Sequence, residues 1–142
     1  MREIKFRGKY VGTGEWVYGD LIHKRHTQDV VMIQDEKGFG CDVWPDTVGQ
    51  YTGLKDAEGL EIYEGDLLRF PPKSQWEETN YASFEVFFHD GDCCDSHIGY
   101  QMNRVHYHGS VCGGVTWPFQ PKWTKKMVVD GNIHDNPELT DL

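Results

Sequence analysis

Apolar and polar residues alternate with a period of two over most of the chain, which predicts strands. Residues 2–8 place Ile4 and Phe6 on an inner face and Glu3, Lys5 and Arg7 on an outer one. Gly12-Thr13-Gly14 then marks a turn. Glu15–Ile22 predicts a second strand, with Trp16 and Tyr18 on one face and Val17 on the other. His23–Gln28 is polar and predicts a hairpin connection. Asp29–Gln34 predicts a third strand, too apolar to be exposed on both faces, and Asp35-Glu36-Lys37-Gly38 a turn after it. Pro45 ends the following segment, because proline restricts the residue before it and donates no ladder hydrogen bond.

The stretch Thr47–Phe70 holds two turn signals. Lys55-Asp56-Ala57-Glu58-Gly59 separates Val48, Tyr51 and Leu54 from Leu60, Ile62 and Tyr63. A short polar loop ending in glycine predicts a hairpin closed by a glycine at positive φ. Glu64-Gly65-Asp66 predicts a tight corner, in which a flanking carboxylate accepts a backbone N–H, before the strand Leu67–Phe70. Pro71-Pro72 breaks the chain, and 73–81 reads either as a loop or as a short helical turn. Ala82–His89 predicts a strand, Asp90-Gly91 a hairpin turn, and 97–108 one strand of open register. Gly113-Gly114 predicts a bulge or loop within Ser110–Trp117. Lys125–Ile133 predicts the last strand, and Asn136-Pro137-Glu138-Leu139 a terminal turn.

No window sustains a helical period. Many short strands divided by Gly, Pro and Asp predict a mainly β fold, a small antiparallel sandwich or barrel. The pattern from Ile62 to Gly91 is compatible with an SH3-like barrel in the C-terminal half. The expected organisation is one domain over 1–142, with a seam near Gly59 dividing parts 1–59 and 60–142.

Three segments carry a family resemblance: the opening MREIKFRG with GEWVYGDL, the central GQYTGLKDAEGLEIYEGDLL, and the closing VVDGNIHDNPEL. They resemble the YopX family, small proteins of bacteriophages, prophages and related mobile elements. The three lie in the family order and span nearly the whole chain. The resemblance implies a phage- or prophage-type accessory protein expressed in a bacterial host, and carries over no catalytic residue. The stretch Pro71–Lys126 departs from the family pattern and is rich in His, Cys and Trp.

Composition narrows this picture. At 142 residues the chain is long enough for a self-sufficient core. Its mean hydropathy is −0.63, and it lacks the run of about 18 apolar residues that marks a membrane helix. The N-terminus has no secretory pattern, so a cytoplasmic location is expected. Net charge is −9, divided as +3 over residues 1–26 and −12 over the rest. An acidic body disfavours non-specific duplex binding, which depends on Lys and Arg displacing counterions. The basic N-terminal strands are a candidate contact for single-stranded nucleic acid, though a solvated strand face is the plainer reading. The acidic body alternatively suits a DNA-mimic decoy.

The candidate chemistry is thin. His89, Cys93, Cys94, His97, His106, His108 and Cys112 supply thiolate and imidazole, the donors zinc prefers. No Cys-x-x-Cys pair is present and no zinc-finger spacing is matched. The plainer reading is a polar loop plus buried thiols, and Cys41 with the others is expected reduced. Asp90, Asp92 and Asp95 lack the glycine and glutamate that a calcium loop needs. There is no Gly-x-Ser-x-Gly and no phosphate-binding glycine loop. Glu61, Glu64 and Asp66 read as turn residues. Trp16, Tyr18, Trp44, Tyr51 and Tyr63, interleaved with charge, would stack bases if exposed; as core they supply buried area, the reading preferred for most.

The expected function is therefore a non-enzymatic binding or interaction module, with no residue assigned a catalytic, metal or cofactor role. A protein partner is expected, and self-assembly as a homo-oligomer, because sheet edges need covering. The alternatives are a nucleic-acid-related role and a metal-dependent enzyme using the His/Cys set.

Overall fold

The computed structural model describes residues 3–23, 31–79, 81–89, 99–107 and 110–137, with the backbone alone at 79, 89, 105–107 and 110–118. The chain divides into two compact units, Met1–Gly53 and Leu54–Leu142. The seam falls inside a strand, at Gly53 with φ +89°, ahead of the glycine loop at Gly59.

The first unit holds β1 (Phe6–Lys9), β2 (Trp16–His23), β3 (Val31–Gln34), β4 (Gly40–Val43) and the start of β5 (Gly49–Lys55). Within it the order is β4-β3-β2-β1-β5, and the assigned neighbours are antiparallel. The turn expected at Asp35–Gly38 is built by Asp35, whose Oδ1 accepts the Lys37 and Phe39 N–H groups, each at 2.9 Å. The sheet curls back on itself: the end of β1 meets β4 through Val11 N–H to Asp42 O and Trp44 N–H to Lys9 O, both 3.0 Å. That close return explains Gly8. A Cβ there would lie 2.9 Å from Val43 Cγ2 and 3.2 Å from Ile33 Cδ1, both buried apolar residues of this unit.

Strand β1 corrects the expected facing. Ile4, expected inside, is 62% exposed, and Arg7, expected outside, is 6% exposed. Arg7 Cζ lies 4.5 Å from the centre of the Trp16 ring. A guanidinium can be covered by an indole because its face is weakly hydrated and attracted to the ring's electron density.

The second unit holds the hairpin from β5 into β6 (Glu61–Tyr63), then β7 (Asp66–Arg69), α1 (Gln75–Thr79), β8 (Ala82–His89), β9 (Gly99–Tyr107), β10 (Ser110–Pro118), α2 (Pro121–Thr124) and β11 (Val128–Asn132). Five of these strands form an antiparallel sheet in the order β10-β9-β8-β7-β11. The protein is thus mainly β, with two antiparallel sheets. Where an SH3-like barrel was expected, the strand order among the described residues is that of an open sheet.

Both glycines of the central stretch adopt positive φ, Gly59 at +84° and Gly65 at +88°. The irregularity expected at Gly113-Gly114 appears as a register shift between Val111 and Val115. Residues 73–81 contain a helical turn, α1. The sequence reading did not anticipate α2, which starts on Pro121, a proline placed where a helix tolerates it. Ile62, Leu68, Phe84, Val86, Met102 and Met127 form the core, with Trp123, Phe119 and Val129 packed against it. No helix among the described residues is long and apolar enough to cross a membrane.

Candidate functional site

The acidic residues of the central stretch are the first place to look for chemistry, and the two buried ones, Asp56 and Asp66, are engaged by backbone. Asp56 is 6% exposed. Its Oδ1 accepts the N–H groups of Glu58 and Leu60, and its Oδ2 that of Val129, all at 2.9 Å. Asp66, 2% exposed, accepts the Tyr63 N–H at 2.8 Å, the capping role expected of the corner. Glu61 Oε1 accepts the Tyr63 hydroxyl at 3.3 Å. The corner and the closing segment meet directly, Ile133 N–H donating to Gly65 O at 2.9 Å. Asn132 organises that segment: its Oδ1 accepts the N–H groups of His134 and Asp135, and its Nδ2 donates to Asp135 Oδ2. The motif residues are therefore architecture. They hold β5–β6, β7 and β11 in register.

The His/Cys set is not brought together within what the structure describes. Cys93, Cys94, His97 and His108 lie outside the described residues, as do Asp90, Asp92 and Asp95. His89, His106 and Cys112 are placed by backbone only, His106 opposite Ser83 and Val111. Among the described residues no group of three His, Cys, Asp or Glu is arranged to hold a metal ion. Cys41 is a half-buried thiol.

The basic strand face of the first unit is formed, and its cations lie against its own aromatics. Arg7 and Lys9 both cover Trp16, with Lys9 Nζ 5.4 Å from the ring centre. Lys5 Nζ lies 5.8 Å from the Tyr51 ring centre and 3.4 Å from Glu3 Oε1. Tyr51 and Tyr63 are buried, whereas Tyr18 and Trp44 are 46% and 50% exposed. The expectation that most of these aromatics are core holds for the two tyrosines and fails at Tyr18 and Trp44.

A concavity among the described residues lies in the second unit. It is a groove of about 740 Å³ between the β7–α1–β8 connection and α2, within the size range of ligand pockets. Its apolar lining is Phe70, Pro71, Pro72, Trp76 and Trp123. Phe70 and Trp123 meet edge to face with ring centres 6.3 Å apart. Trp76 is 60% exposed and Phe70 37%.

Arg69 builds this groove. It is 8% exposed and stacks on Tyr81, its Cζ 3.7 Å from the ring centre. Its Nη2 donates to Glu77 O at 3.0 Å and its Nε to Phe70 O at 3.2 Å. Its Nη1 lies 3.9 Å from Asp130 Oδ2. One side chain thus ties the end of β7 to α1 and to β11. A second tie is Glu77, whose Oε2 accepts the Lys73 N–H at 2.6 Å. The sequence pattern marks Phe70 only as the end of a strand and Pro71-Pro72 only as a chain break. The signal for the groove was a bulky aromatic and two prolines next to a tryptophan in an otherwise polar stretch.

Comparison with known proteins adds fold and family. No curated protein matches the chain. Among solved structures it is similar to the crystal structure of protein EF1440 from Enterococcus faecalis, with a TM-score of 0.58 and 22% identity, covering 99% of this chain and 100% of that one. That likeness speaks to the fold. The YopX protein family model matches residues 5–141. Nearly the whole chain, including the three motif segments from Lys5 onward, falls within that match, and the chain belongs to the YopX family.

Proposed function

We propose that this protein is a non-enzymatic binding module that engages a protein partner through the groove between the β7–α1–β8 connection and α2. One observation carries the reading: a concave surface of about 740 Å³ presents Trp76 and Phe70 to solvent. Tryptophan on a surface costs hydration free energy, and tryptophans in pockets dominate many interfaces. The two buried motif carboxylates, Asp56 and Asp66, by contrast, accept backbone N–H groups, which supports a structural rather than a catalytic use of them. The family and the acidic composition support an accessory role of phage or prophage type in the cytoplasm of a bacterial host, with self-assembly as a further way of covering sheet edges.

The test is affinity capture from bacterial lysate with wild-type protein and Trp76→Ala side by side, after both show the same thermal midpoint. A discrete partner recovered by wild type and lost with Trp76→Ala supports the reading. An unchanged set of captured proteins refutes it.

A second reading, contact with single-stranded nucleic acid, draws on Lys5, Arg7 and Lys9 beside Trp16 and Tyr51. Against it, the cations occupy the ring faces that bases would need. It predicts oligothymidine binding that weakens steeply with salt. No binding at low salt removes it.

A further inference from the structure

Charge is unevenly placed in the second unit. Residues 54–142 carry seven Lys and Arg against fifteen Asp and Glu, a net of −8. Five of those seven bases, Arg69, Lys73, Lys122, Lys125 and Lys126, fall in the two short segments flanking the groove. Lys73 and Lys126 line it and are exposed. The acid among the lining residues, Glu77, has its Oε2 on the Lys73 N–H, and Arg69 is drawn inward onto Tyr81 and Asp130. The groove is thus an apolar, aromatic trough with ammonium groups at its rim, in a unit whose net charge is −8.

Resting on the binding-module reading, we propose that the groove takes an acidic segment of a partner protein anchored by an apolar side chain. The anchor, an aromatic ring or a leucine, packs on Phe70, Trp76 and Trp123, where burying apolar area supplies affinity. Carboxylates flanking the anchor meet Lys73 and Lys126. The net negative charge of the unit then acts as a filter. A basic segment would be repelled by Lys73 and Lys126 at the rim, and the unit's net charge of −8 disfavours a long polyphosphate strand.

The experiment is selection of a displayed library of random peptides on the immobilised full chain. It is followed by fluorescence-polarisation titration of the enriched sequences against wild type, Trp76→Ala and the double variant Lys73→Glu/Lys126→Glu. All three substituted side chains are exposed, and equal thermal midpoints establish that the variants are folded. The expected outcome is enrichment of acidic sequences that contain Phe, Trp, Tyr or Leu. Their affinity falls at least about tenfold with Trp76→Ala and at least about tenfold with the charge reversal, the latter loss shrinking as salt is raised. Neutral or basic sequences whose binding is lost with Trp76→Ala would overturn the acidic assignment while leaving the groove as the binding surface. Sequences indifferent to both variants, or no enrichment, would overturn the inference. So would oligothymidine displacing the peptides more tightly than they bind, which would assign the groove to nucleic acid.

Discussion

Replacing Asp56 by alanine removes one carboxylate and three hydrogen bonds. Two of the donors, Glu58 and Leu60 N–H, belong to the same loop. The third, Val129 N–H, lies across the unit at the start of β11, with Ala57 N–H to Met127 O at 2.8 Å beside it. A hydrogen bond to a charged acceptor contributes about 1.5–3 kcal/mol net. The full sum is not lost, because the loop amides can turn to water while the Val129 amide sits behind the loop. The expected loss for Asp56→Ala is about 3–4 kcal/mol. Asp56→Asn keeps one acceptor oxygen for the loop but turns an NH₂ group toward a donor, and should lose about 2 kcal/mol. Urea unfolding followed by circular dichroism gives both numbers by linear extrapolation. Since every bond lies within residues 54–142, only the transition of that unit should move if the two units unfold separately. The reasoning is refuted if alanine lies within about 0.5 kcal/mol of wild type, or if asparagine is as damaging as alanine.

Glu85, opposite Leu67 and Asn103 on β8, has its carboxyl pushed above its ordinary value of 4.5 by burial. Because the folded chain holds that proton more tightly than the unfolded one, wild-type stability is full below the ordinary carboxylate range and falls as pH rises through the raised value. Glu85→Gln should therefore be the more stable protein at pH 7, with the gap closing under acid; a pH series of melting temperatures checks this. Gly131→Ala should cost clearly more than Gly59→Ala. Both sites have positive φ, but a Cβ at 131 meets the Asn136 side chain, while at 59 it meets nothing within 4 Å. Paired urea curves should put Gly59→Ala near the backbone penalty of about 1–2 kcal/mol and Gly131→Ala beyond it. Gly8→Ala should lose about 1–3 kcal/mol by overpacking against Val43 and Ile33, read in the transition of the first unit.

Much of the framework is local chemistry and was legible in the residues. The Asp56–Gly59 loop, the Gly65-Asp66 corner and the Asp35–Gly38 turn each combine a short carboxylate side chain with a glycine within a few positions. Backbone sterics and hydrogen-bonding reach determine such turns without help from the rest of the chain. The bulge at Gly113-Gly114 follows the same logic. Period-two alternation then marks the strands between turns, and the motif segments, being these turns, mark the family.

Tertiary structure alone decided what depends on distant partners. Arg7 is buried and Ile4 exposed because Trp16, on the neighbouring strand, covers a guanidinium, and no alternation rule includes that term. The third bond of Asp56 comes from Val129, 73 residues away. The groove exists because Arg69 ties α1 to the end of β7 and because Trp123, on a helix whose only local signal is Pro121, comes to lie against Phe70. Periodicity states which residues share an element and a face. Which faces meet, and so which aromatics are buried and which line an open groove, depends on contacts between segments that chain order does not bring together.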